Sequence, residues 1–134
     1  MERVVGIGGI FLKARDPQAL AAWYRDHLGV PVEPGATHGV FTRGAAVAGG
    51  PTGGAPELTV WSAFPADTAY FAPSAAPFMV NYRVADLDRM LAQLRAAGAA
   101  VDDRAEASEF GRFGWALDPE GNRVELWEPA GPGF

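Results

Sequence analysis

Apolar and polar positions along this chain follow one pattern twice. The stretch IGGIFLKARD runs apolar and small as far as Leu12, then turns polar and reaches Asp16-Pro17. Leu20, Trp23, Tyr24 and Leu28 recur at helical spacing and stop at Gly29. The stretch APFMVNYRVAD repeats the approach to a second aspartate, Asp86. Leu87, Met90, Leu91 and Leu94 then share one helical face that ends at Gly98. An aspartate before a first helical turn accepts hydrogen bonds from free backbone N–H groups, and a proline fits the first helical position. A glycine ends a helix by adopting left-handed backbone. Each half closes on a strand ending in tryptophan, LTVW at Trp61 and VELW at Trp127.

Shorter runs fill the gaps. Strands are expected near Val30–Glu33, Gly39–Arg43 and Glu57–Phe64 in the first half, and near Ala100–Arg104 in the second. Glu109–Leu117 and Arg123–Trp127 read as a hairpin about the turn Asp118-Pro119-Glu120-Gly121-Asn122. Ala45–Pro56 is rich in Gly, Ala and Pro and reads as a loop, and the tail from Pro129 reads as loose. The order β-α-β-β-β therefore occurs twice. It predicts an α+β fold of tandem βαβββ modules in a single domain over residues 1–134. Module 1 covers about 4–64, a linker 65–77 and module 2 about 78–129. Neither module can bury a core alone, so the two must pack together around a shared cleft.

Alternation along the strands separates two faces. Ile10, Leu12, Ala14, Leu58, Val60, Val80, Tyr82, Val84, Val124 and Leu126 are expected against the helices. Gly9, Phe11, Lys13, Thr59, Trp61, Met79, Asn81, Arg83, Glu125 and Trp127 are expected on the other face. That second set mixes aromatics with polar and charged groups, as a ligand pocket requires. Glycines at Gly6, Gly8 and Gly9 remove side chains from the first strand and invite a close approach to its backbone.

Composition narrows the chemistry. Cysteine is absent, so disulfides and thiolate metal sites are excluded, which fits a reducing, cytoplasmic setting. The net charge of −5, without a basic stripe, argues against a nucleic-acid partner. The apolar run Val4–Leu12 is too short to span a bilayer and has no cleavage site after it, so neither membrane insertion nor a signal peptide is expected. Nucleophile-elbow, P-loop, dinucleotide and HExxH motifs are all missing.

The tandem βαβββ order, the strand-Asp-helix-Gly openings and the closing DPEGNRVELWEP resemble the vicinal oxygen chelate superfamily. That group includes glyoxalase I, bleomycin-resistance proteins, fosfomycin-resistance transferases and extradiol dioxygenases. The resemblance covers roughly Val4 to Pro129. It implies two modules curled about one cleft, commonly in a homodimer. In metal-dependent members, four strand positions supply His, Gln or Glu to one divalent ion. Carried over, those positions fall on Gly9, Thr59, Met79 and Glu125. One carboxylate, a hydroxyl and a thioether make a poor site for such an ion, so neither metal nor cofactor is expected.

Individual residues carry two readings each. Glu125 is either an ordinary strand carboxylate or a cleft carboxylate acting as general base or cation anchor. Arg83 and Lys13 occupy matching places and either reach solvent or bind an anionic group. Trp61 and Trp127 are either core or cleft walls, with Phe113 and Trp115 extending the same wall. Tyr70 and Phe71, in the linker, are placed to form a lid or a partner contact. His27 ends the first helix, where the macrodipole favours it, and His38 stands without a ligand-spaced partner.

The expected site is Glu125 as the catalytic candidate, with Phe11, Trp61, Asn81, Arg83, Trp115 and Trp127 as substrate-binding residues. The expected role is binding a small organic molecule in a metal-free cleft, in the manner of bleomycin-resistance-like proteins, with acid-base chemistry at Glu125 as an addition. The first alternative is a metal-dependent lyase, isomerase or dioxygenase drawing ligands from His27, His38 or a second chain. The other is a protein-interaction module whose cleft is filled by its own side chains.

Overall fold

Asp16 and Asp86 open the two helices in the same way. Asp16 Oδ1 accepts from the Ala19 N–H at 3.0 Å, and Asp86 Oδ1 accepts from the Arg89 N–H at 3.0 Å. Pro17 begins the first helix, and Gly29 closes it at φ 69°. The second ends at Ala96, and Gly98 lies just beyond at φ 86°. These local signals set the positions of α1 (Pro17–Leu28) and α2 (Leu87–Ala96) in the computed structural model, which describes residues 1–43 and 57–131. The loop expected over Ala45–Pro56 and the last residues of the tail lie outside the described residues.

The strands are β1 (Val4–Ala14), β2 (His38–Arg43), β3 (Glu57–Pro65), β4 (Phe78–Val84), β5 (Glu106–Ser108), β6 (Gly111–Leu117) and β7 (Arg123–Pro129). They form one curled, mixed seven-stranded sheet in the order β2-β3-β1-β4-β7-β6-β5. β1 and β4, the opening strands of the two halves, run antiparallel at its centre, and each lies parallel to the closing strand of its own half. This is the expected tandem βαβββ architecture, with two differences. The strands expected near Val30–Glu33 and Ala100–Arg104 shrink to the isolated bridges Val32–Gly39 and Val101–Ala116. A short strand, β5, pairs with β6 where none was expected. At Gly39 an added Cβ would stand 2.8 Å from the carbonyl carbon of Pro31, so the first connection packs on β2 without extended pairing.

The helices cover one side of the sheet. Ala14, Ala21, Val30, Val32, Trp61 and Ala63 pack together under α1. Val84, Leu87, Met90, Leu91 and Leu126 do the same under α2. On the opposite, concave side, Phe11, Phe71, Met79 and Trp115 form a third cluster with Phe64, Tyr70 and Phe113 at its margin. Among the described residues no helix is long and apolar enough to cross a membrane.

Trp61 corrects an expectation. The β1–β3 register pairs Ile10 with Trp61 and Phe11 with Ser62. Paired residues share a face, so Trp61 and Thr59 point to the helix side, while Leu58 and Val60 point into the concavity. The similarity of LTVW to VELW conceals a three-residue offset, an odd number that inverts the alternation of faces. Phe11 and Asn81 stand at the same distance before their capping aspartates, and their partners are Ser62 and Glu125. The counterpart of Trp127 is therefore Phe64, paired with Lys13 as Trp127 is with Arg83.

Candidate functional site

Glu125 lies at the centre of the concave face, and its charge is surrounded. It is 2% exposed. Its Oε1 accepts from Asn81 Nδ2 at 2.6 Å. Its Oε2 accepts from Trp115 Nε1 at 2.8 Å and from the Tyr70 hydroxyl. Burial pushes the Glu125 carboxyl above the usual carboxylate range, and the donors from Tyr70, Asn81 and Trp115, with the charge of Arg123, oppose that rise only in part. The Tyr70 phenol is pushed up in turn, first by burial and then by the charge of Glu125, so it stays protonated and donates.

Around this network the concave face divides in two. Below it the linker plugs the sheet. Phe71 is fully buried against Phe11, Met79 and Trp115, and Tyr70 stacks on Phe64 at 5.5 Å between ring centres. The linker is tied down where Arg123 Nη1 donates to the Ala72 carbonyl at 2.6 Å and the Lys13 N–H donates to the Pro77 carbonyl at 2.7 Å. Above it remains a cavity of about 360 Å³. Phe11, Val40, Leu58, Val60, Phe110, Phe113 and Trp127 supply its apolar walls, with Gly8 and His38 also in the lining. Among the described residues, Asn81 and Glu125 are its other polar lining.

The glycines of β1 make room for this floor. The β1–β4 register shifts between Ile7 and Gly9, which leaves Gly8 as an extra, bulged residue. A Cβ at Gly8 would collide with Asn81 Oδ1 and stand 2.8 Å from Trp127 Cε3. Glycine there lets Asn81 and Trp127 lie flat against the backbone. The Asn81 amide is thereby locked, with its nitrogen on Glu125 and its Oδ1 buried without a hydrogen-bond partner.

Four of the seven expected site residues, Phe11, Asn81, Glu125 and Trp127, line the cavity together. Trp115 shares their face but lies beneath Glu125, fully buried, as a donor to it. Trp61 is on the helix side, 4.8 Å from the Tyr24 ring. Arg83 does not line the cavity. Its Nη1 donates to the Leu58 carbonyl at 2.9 Å, and its Nη2 lies 3.6 Å from Glu57 Oε2, so it clamps the end of β3. Lys13 places its ammonium 5.5 Å above the Phe71 ring. His27 stands beside Trp23 on α1, away from the cavity, whereas His38 lines it. Reading alternation alone missed Leu58 and Val60, because it carried the wrong phase into β3, and Val40, because β2 was read as a short strand without faces. The linker tyrosine was singled out, but nothing in its local sequence points to Glu125.

The register also shifts the positions that the resemblance would assign to a divalent ion. The symmetric quartet is Phe11, Ser62, Asn81 and Glu125, in place of Gly9, Thr59, Met79 and Glu125. A phenyl ring, a hydroxyl, an amide and a carboxylate already accepting three hydrogen bonds do not fit such an ion. Thr59 donates to the Ile7 carbonyl on the other face. Among the described residues no three His, Cys, Asp or Glu side chains converge.

Comparison with known proteins agrees with this architecture. No curated protein matches the chain. Among solved structures, a Streptomyces coelicolor methylmalonyl-CoA epimerase in complex with 2-nitronate-propionyl-CoA is similar, with TM-score 0.66 and 20% identity over 96% of this chain and 100% of that one. The methylmalonyl-CoA epimerase of Mycobacterium tuberculosis gives TM-score 0.60 and 21% identity, covering 96% and 90%. A glyoxalase/bleomycin resistance protein/dioxygenase superfamily member from Vibrio splendidus 12B01 gives 0.56 and 15%, covering 96% and 99%. At these identities the likeness is one of fold. The sequence itself matches the Glyoxalase-like domain family model over residues 9–127, and with the paired βαβββ halves this makes the chain a member of the glyoxalase-like family within the vicinal oxygen chelate superfamily.

Proposed function

We propose that this protein binds a small organic molecule in the cavity above Glu125, without a metal ion. One observation carries the reading. A cavity walled largely by apolar and aromatic side chains stands open over the buried Glu125–Asn81 pair, and both residues belong to its lining. The walls suit a compact apolar body, and about 360 Å³ lies within the range of small-ligand sites.

Acid-base chemistry at Glu125 is a second reading. It is supported by the place of Glu125 in the cavity lining and by the upward displacement of its carboxyl. Against it, three donors already engage that carboxylate, which suits an anchor better than a base.

A fluorescence and thermal-shift screen of small aromatic and alicyclic compounds tests the binding reading. The expected result is saturable quenching from Trp127 at the cavity wall. A silent screen across amines, alcohols and acids would overturn it and favour a cleft serving only as core. Stoichiometric tightly held metal in the purified protein would favour a metal-dependent enzyme instead.

A single cytoplasmic domain acting as a homodimer completes the proposal. It is supported by the one continuous sheet, by the lack of cysteine and by the exposed Val40 and Phe41 on the edge strand β2. Light scattering giving a monomer mass at high concentration would remove the dimer.

A further inference from the structure

We infer that the cavity takes an aromatic ring bearing one hydroxyl, laid against the Trp127 wall and hydrogen-bonded by Ser62 and His38. The inference deepens the small-molecule reading and rests on it.

The protein already holds one such ring, its own Tyr70, on the plugged side of the concave face. Three residues grip it. Tyr70 stacks on Phe64 at 5.5 Å between ring centres, with the planes 7° apart. It meets Trp115 edge-on, at 6.3 Å and 87°. Its hydroxyl donates to Glu125 Oε2.

The repeat carries each of these three residues to a counterpart. Phe64 pairs with Lys13 as Trp127 pairs with Arg83. Ser62 pairs with Phe11 as Glu125 pairs with Asn81. His38 pairs with Ser62 as Trp115 pairs with Glu125. The counterparts of Phe64, Trp115 and Glu125 are therefore Trp127, His38 and Ser62. Trp127 and His38 line the cavity. Ser62 stands on β3 between Phe11 of β1 and His38 of β2, which both line it. The open side of the sheet thus repeats the grip that the plugged side closes on Tyr70.

The chemistry of the counterparts suits a ring that comes from outside. Trp127 stacks with Phe113 at 6.0 Å, with the planes 1° apart, and both rings belong to the cavity wall. A flat aromatic ring gains more against such a wall than a saturated ring of the same size. The Ser62 hydroxyl both donates and accepts, and so does a neutral His38 ring through its two nitrogens. Among the described residues neither side chain carries a hydrogen bond. A ligand hydroxyl matches these groups, as the Tyr70 hydroxyl matches Glu125. A wholly apolar ring would cover Ser62 and leave its hydroxyl with neither water nor partner.

Three probes on one skeleton test this: 4-ethylphenol, ethylbenzene and 4-ethylcyclohexanol, compared by calorimetry. 4-Ethylphenol is expected to bind about fivefold or more tighter than ethylbenzene, through its hydroxyl, and about fivefold or more tighter than 4-ethylcyclohexanol, through its ring. In the double variant Ser62→Ala with His38→Leu, the advantage over ethylbenzene should vanish and that over 4-ethylcyclohexanol should persist. If that variant does not fold, the ranking on the unmodified protein decides, together with the His38 ring signals in NMR, which 4-ethylphenol should shift. Equal or tighter binding of either other probe would overturn the inference and leave the small-molecule site standing. So would unmoved His38 signals at saturation, or a preference for the phenol that survives the double variant. Failure of all three probes would overturn it as well, and with a silent compound screen would remove both readings.

Discussion

Where the first half of the sheet sets Phe11 against Ser62, the second sets Asn81 against Glu125. The backbones are equivalent, the strands run the same way, and each pair stands on the concave face. Yet one half contributes a ring to the wall and the other contributes a carboxylate and the amide that donates to it. A duplicated scaffold can divide labour in this way because strand geometry sets only where a side chain points. Its chemistry is free to diverge, provided that each buried polar group finds a partner. Here the partners of Glu125 come from three places: β4 through Asn81, β6 through Trp115 and the linker through Tyr70. The polar half thus depends on long-range packing, while the apolar half depends on burial alone.

This contrast can be broken or sharpened by substitution. The largest effect is expected at Trp115, which has no exposed surface. Trp115→Ala should lower stability by about 3–5 kcal/mol in urea denaturation, through lost packing and a lost donor to Glu125. A loss below about 1 kcal/mol would show that the network is not part of the core. Next is Gly8→Ala. Its new methyl would push Asn81 and Trp127, at a cost of about 1–3 kcal/mol in stability and with weakened binding of any cavity ligand. Unchanged binding would mean that the cavity floor is not where the ligand sits.

The two halves should respond alike where their local chemistry is alike. Asp16→Ala and Asp86→Ala each remove an N-cap and should each cost about 1 kcal/mol by thermal or urea unfolding. Unequal losses would show that one helix is held mainly by packing. The smallest effect concerns pH. The Glu125 carboxyl is raised in the folded protein, so its linkage contribution to stability is present below the unfolded value of about 4.3 and is lost as pH rises through the folded value. Relative to Glu125→Gln, the unmodified protein should therefore gain stability as pH falls from about 8 to about 4. A flat difference across that range would mean that burial does not govern this carboxyl. The carboxylates Asp26, Asp88 and Asp118 are lowered by their partners and act in the opposite sense, but they are common to both proteins and cancel.

Much of this molecule was legible before its folding was known. The capping aspartates, the terminating glycines, the repeated order of elements and the turn at Asp118 act over a few residues, so their consequences are written locally. The face of β7 that carries Glu125 and Trp127 followed from alternation alone, as did the faces of β1 and β4. Two things required the whole structure. The first is the phase of β3. Its pairing with β1 is a long-range register, and an offset of an odd number of residues sends Trp61 to the helices and Val60 to the cavity. The second is the fate of Tyr70 and Phe71, which reach the cleft because the linker folds across it. Local sequence therefore determined where the elements begin and end. The tertiary structure decided which side chains meet, because contacts between residues far apart depend on register and chain path rather than on any property of either residue alone.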